Sequence, residues 1–73
     1  MSDLRVLVSS PIDRESVVAE LWSGAEQIAE LRQDGQELRL ELYNTGTSQY
    51  RDLRFADFLA ALAKMKNAIE PVV

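Results

Sequence analysis

Ser9, Ser10, Thr47 and Ser48 are hydroxyls beside predicted turns and strand ends, and a hydroxyl becomes a nucleophile only when a neighbouring base takes its proton. The chain has no histidine and no cysteine. That removes the usual general base, the commonest transition-metal ligand and all thiolate chemistry. Lys64 or Lys66 would have to serve in a Ser–Lys device, and nothing in their spacing calls for one. The hydroxyls read as turn and strand-end groups, and no catalytic residue is expected.

Glu20, Glu26, Glu30, Glu37 and Glu41 are spaced along predicted strands without the glycine-bearing loop of a calcium site. They read as cross-strand partners of Arg32 and Arg39 rather than as metal ligands. Gly24, Gly35 and Gly46 each stand alone in a turn, so there is no phosphate-cradling loop and no cofactor is expected. With 12 acids against 8 bases and a net charge of -4, the chain disfavours phosphate backbones, and nucleic acid is not an expected partner.

The elements that position these groups follow from periodicity. Residues 17 to 31, Val-Val-Ala-Glu-Leu-Trp-Ser-Gly-Ala-Glu-Gln-Ile-Ala-Glu-Leu, contain Ala-Glu-Leu twice. Ala29, Leu31, Leu38, Leu40 and Leu42 recur at period two, which is the spacing of strands. The repeat therefore predicts two neighbouring strands, Val17 to Trp22 and Glu26 to Arg32, with the same inward alternation. A three-residue loop, Ser23 to Ala25, brings Val17, Ala19 and Leu21 to the face of Ala29 and Leu31. Asp34-Gly35 is a two-residue hairpin signal; it sets Leu31 opposite Leu38, Ala29 opposite Leu40, Glu30 opposite Arg39 and Arg32 opposite Glu37.

Leu4 to Ser9 predicts a further strand, ended by Ser10-Pro11, and Asn44-Thr45-Gly46 turns the chain into a weaker one near Ser48 to Leu53. After Leu53, Phe55, Phe58, Leu59, Leu62, Met65 or Lys66, and Ile69 fall at helical spacing. They predict an amphipathic helix that stops before Pro71, with Asp52 or Asp57 near its positive end. The expected fold is α+β: an antiparallel β-meander of four to five strands with one C-terminal α-helix packed on one face. Residues 1 to 73 read as one domain, at a size where a single core supplies roughly 3–5 kcal/mol. Partner binding or self-association would add to that.

One helix covers one face of such a sheet, so the other must meet water or a partner. In this register it carries Val18, Glu20, Trp22, Ile28, Glu41 and Tyr43. Apolar and aromatic residues on an otherwise charged face resemble interface anchors, and the acids beside them suit a basic partner. These six are the candidate partner-binding residues; the alternative is isolated surface apolar side chains and cross-strand ion pairs. The expected partner is another protein, or a second copy in a homodimer. No stretch approaches the roughly 20 apolar residues of a membrane span. Met-Ser-Asp-Leu-Arg, followed by only Val6 to Val8 as an apolar run, predicts no secretory signal. A cytoplasmic protein with no membrane partner is expected.

The order of signals, a strand ending Ser-Ser-Pro, then Val-Ala-Glu-Leu-Trp, Gln-Ile-Ala-Glu-Leu, Leu-Arg-Leu-Glu-Leu-Tyr and Phe-Ala-Asp-Phe-Leu-Ala-Ala-Leu, resembles small uncharacterised bacterial proteins of immunity-protein type. The resemblance implies a non-enzymatic protein that occupies a partner's surface. Small acidic inhibitors carried by phages and mobile elements share that size and charge. A structural homo-oligomer or accessory subunit is the alternative that a small core suggests.

Overall fold

The computed structural model describes residues 3–10, 17–43 and 50–69. Strands β1 (Leu4–Ser9), β2 (Val18–Ser23), β3 (Glu26–Asp34) and β4 (Glu37–Leu42) form one antiparallel sheet in the order β1-β2-β3-β4. Helix α1 (Phe55–Ile69) packs on one face, so the fold is an α+β meander. Residues 50–54 carry no strand. The start of the expected fifth strand, the Asn44-Thr45-Gly46 turn and both prolines lie outside the described residues.

Both described hairpins turn on two residues, Gly24-Ala25 and Gly35-Gln36. Gly24 and Gly35 have φ of 61° and 63°, and no other described residue has positive φ. Positive φ at the first loop residue alone is the type II′ arrangement, in which glycine leads the loop. The expectation of Asp34-Gly35 as the loop therefore misses by one residue, which shifts the β3–β4 register by two. Leu31 faces Leu40, Ala29 faces Leu42, and Gln33 faces Leu38. An even shift preserves the faces but changes the pairs: Arg32 stands opposite Arg39, and Glu30 opposite Glu41.

In the first hairpin the expected three-residue loop is replaced by Gly24-Ala25 and a bulge. Continued without interruption, the pairs Ser23–Glu26 and Trp22–Gln27 would put Leu21 opposite Ile28 and Ala19 opposite Glu30. The register instead shifts between Leu21 and Trp22, and Leu21 faces Ala29 while Ala19 faces Leu31. One extra residue in β3 thus restores the apolar face that the short loop would have lost. Ile28 and Ala29, adjacent at the bulge, are both buried.

The core joins Ala19, Leu21, Ile28, Ala29 and Leu31 of the sheet to Ala61 and Met65 of the helix, with Leu4, Val6, Leu53, Phe58, Leu62 and Ile69 packed around them. Phe58, Ala61, Leu62, Met65 and Ile69 repeat at three and four residues, which makes one helix face. Ala61 lies within it because its small side chain lets the helix approach the sheet. The Arg54 carbonyl accepts the Phe58 amide at 3.0 Å, so Arg54 occupies the N-cap position and Asp52 lies two residues before it. Asp57 sits in the first turn, 4.0 Å from Arg54 Nε, where a negative charge suits the helix dipole. The helix packs over β1, β2 and β3 and stops short of β4.

Candidate functional site

The helix-free face carries the residues that the sequence offered as a contact surface. Trp22 faces Arg5 of β1, with the guanidinium carbon 5.6 Å from the ring centroid, and its Nε1–H donates to Glu20 Oε1 at 3.0 Å. The indole is half-buried and its polar atom is satisfied within its own sheet. Arg5 in turn donates from Nη2 to the Gly24 carbonyl at 2.8 Å, tying β1 to the first hairpin turn. Glu20, Glu30 and Glu41 line up across three strands as direct neighbours. Directly opposed like charges are destabilising; Arg32 bonds Glu41 diagonally across the ladder, and Arg39 lies 3.5 Å from Glu37 along its own strand. The expected Glu30–Arg39 and Arg32–Glu37 oppositions are replaced by these pairs because of the register shift.

Three of the six candidate contact residues are buried or lie elsewhere. Val18 is 0% exposed and Ile28 5%, so neither offers contact area, and Ile28 has moved into the core through the bulge. Tyr43, whose amide donates to the Ile28 carbonyl at 2.9 Å, lines a cavity on the helix side, apart from Trp22. Trp22, Glu20 and Glu41 remain on the helix-free face, each half-buried and engaged by a neighbour.

On the helix-free face Leu7 is 42% exposed, but more of the uncovered apolar surface lies on the other side. Because α1 stops short of β4, Leu38, Leu40 and Leu42 are 36%, 40% and 70% exposed. On the helix, Phe55 and Leu59, one turn apart on one flank, are 76% and 54% exposed. Taking roughly 200 Å² for a large side chain, these five expose on the order of 500 Å². That reaches the largest apolar patches of ordinary monomers, which are often functional. An open-sided cavity of about 380 Å³ separates the two groups. Ile28, Ala29 and Leu42 form its sheet wall, Phe55 and Phe58 its helix wall, and Tyr43, Arg51 and Leu53 its rim. Arg51 is paired with Glu26 at 3.1 Å, leaving a mainly apolar recess without convergent polar groups.

No family model, curated protein or solved structure matches the chain. Geometry and chemistry therefore carry the functional reading. Among the described residues, no group of three or more acids, histidines or cysteines is arranged to hold a metal ion. No helix among them is long and apolar enough to cross a membrane.

The β4 leucines, Phe55 and Leu59 were assigned by their periodicity to the covered face, and the signal against that is a matter of width. A helix with side chains is about 10–12 Å across, whereas four strands at about 4.8 Å spacing span more than 14 Å between the outer backbones alone. One helix leaves a strand uncovered. The leucine alternation of β4 then reads as exposed surface.

Proposed function

We propose that the protein is a non-enzymatic binding module that acts in the cytoplasm by occupying the surface of another protein, in the manner of a small inhibitor or immunity-type protein. Its contact surface is the helix-side apolar patch of Leu38, Leu40, Leu42, Phe55 and Leu59, not the Trp22 face. The observation that carries this reading is the 70% and 76% exposure of Leu42 and Phe55 on either side of an apolar recess. Apolar anchors beside a concave site are the usual centre of a protein interface. A sequence without histidine or cysteine adds to the case for binding over catalysis.

The test is recovery of partners from extracts of the source cell, by the parent protein and by Leu42→Glu, Phe55→Glu and Trp22→Ala variants of verified fold. The two glutamate variants are expected to lose the partner while Trp22→Ala retains it. Loss with Trp22→Ala alone would move the site to the other face, and equal recovery by all four would end the assignment.

A further inference from the structure

Among the described residues strand β4 ends the sheet, and its sequence is Glu37-Leu38-Arg39-Leu40-Glu41-Leu42. The Tyr43 amide donates to the Ile28 carbonyl across the ladder, which fixes the direction of every backbone group in the strand. In an antiparallel ladder these groups alternate, so Glu37, Arg39 and Glu41 turn theirs toward β3. Leu38, Leu40 and Leu42 turn their N–H and C=O groups outward. The outward backbone groups and the exposed leucine side chains therefore belong to the same residues.

We infer that β4 pairs antiparallel with β4 of a second copy about a two-fold axis through Leu40, joining the two sheets of described strands into one with both helices on the same side. This rests on the reading that the helix-side patch is a contact surface, and it names an occupant for the patch's strand edge. In this register Leu40 meets its own symmetry mate, and Leu38 meets the second copy's Leu42. All are pairs whose backbone groups face each other. On the opposite face Arg39 meets the second copy's Glu41, twice by symmetry. A two-fold interface must be self-complementary, and this one matches apolar with apolar and cation with anion at each position from 38 to 42.

Neighbouring registers do worse. Centring on Arg39 sets Arg39 against itself and Glu37 against the second copy's Glu41, a run of like charges. Centring on Leu38 pairs Arg39 with Glu37 but leaves Leu42 against Asp34. An odd shift would turn the leucines of one copy to the charged face of the other. Unpaired edge strands are usually blunted by charge or proline; β4 has no proline, and its charges, Glu37, Arg39 and Glu41, are of both signs, so that Arg39 and Glu41 pair in the two-fold arrangement.

The chain has no native cysteine, so a single introduced thiol reports this axis. Directly opposed residues of a hydrogen-bonded pair lie about 5.5 Å apart at Cα, within disulfide reach. Leu40→Cys is expected to oxidise to a covalent dimer at least tenfold faster than Leu38→Cys or Leu7→Cys, which lie off the axis. Sedimentation of the full chain over a hundred-fold dilution should show a dimer that Arg39→Glu and Glu41→Arg each dissociate and that the double variant restores. A strict monomer, equal oxidation at the three cysteine positions, or no rescue by the double swap would each overturn the proposal. If the monomeric protein still loses its partner through Leu42→Glu, the binding reading stands without it; if the dimer forms but no partner depends on Leu42 or Phe55, only the dimer stands.

Discussion

At the residue scale, the two loop glycines decide the registers. Gly35 holds φ of 63° with nothing within 4 Å of a built Cβ, so a side chain there meets no neighbour and the cost is conformational alone. Gly35→Ala should destabilise by roughly 1–2 kcal/mol, the penalty of an L-residue at positive φ, read as a lowered urea midpoint with an unchanged slope. D-alanine at the same position, accessible by chemical synthesis in a chain of 73 residues, fits that φ and narrows the unfolded ensemble. It should be neutral or stabilising by up to about 1 kcal/mol. Equal losses for both enantiomers would mean that the side chain, not the backbone, is resisted. The glycines were legible in the sequence as turn residues, but their place within the turn was not. Asp-Gly favours a loop with glycine second, whereas here Ser23-Gly24-Ala25-Glu26 and Asp34-Gly35-Gln36-Glu37 place glycine first. The similarity of those two tetrads was the available clue.

At the element scale, the period-two and period-3.6 patterns were enough to give four strands, one helix and the sides on which Ala19, Leu21, Ala29 and Leu31 meet. The bulge was not legible, because it follows from a conflict between a local preference and a distant one. The Gly24-Ala25 loop favours an odd register, and burial of the leucines and alanines requires an even one. The bulge accommodates both by adding Ile28. Deleting Ile28 should remove the bulge and set Ala29 directly after Gln27, so that Leu21 still faces Ala29 and Ala19 still faces Leu31 in an uninterrupted ladder. The expected result is a cooperative transition in far-ultraviolet circular dichroism that is kept but lowered by about 2–5 kcal/mol, the loss of one large buried side chain. Ile28→Val keeps the extra residue and should cost only about 0.5–1.5 kcal/mol. A deletion variant with no cooperative transition would show that the fold depends on the bulge itself and not on the apolar pairing alone.

At the scale of the whole molecule, the layer of one helix is narrower than the sheet it covers, and the exposure of the β4 leucines follows from that mismatch. The sequence revealed that an aromatic and acidic face would lie opposite the helix. It could not reveal that Arg5 lies over Trp22 there, since that contact depends on the β1–β2 register, whereas the Glu20 bond joins neighbours on one face of β2. Nor could alternation alone distinguish a leucine under the helix from one beyond its edge. Ordinary folding stability and surface function should therefore separate at β4 and the start of α1. Leu42 and Phe55 are mostly solvent-exposed, so their replacement by glutamate should change monomer stability by no more than about 0.5 kcal/mol. The parent should melt at a temperature that rises with protein concentration, because association stabilises the folded form by mass action. Leu42→Glu places a charge opposite the second copy's Leu38 at both ends of the paired strands, and its melting temperature should be independent of concentration and equal to the dilute limit of the parent. A variant that melts well below that limit would place Leu42 in the monomer's own core, and the exposed patch would then have to be redrawn around the helix alone.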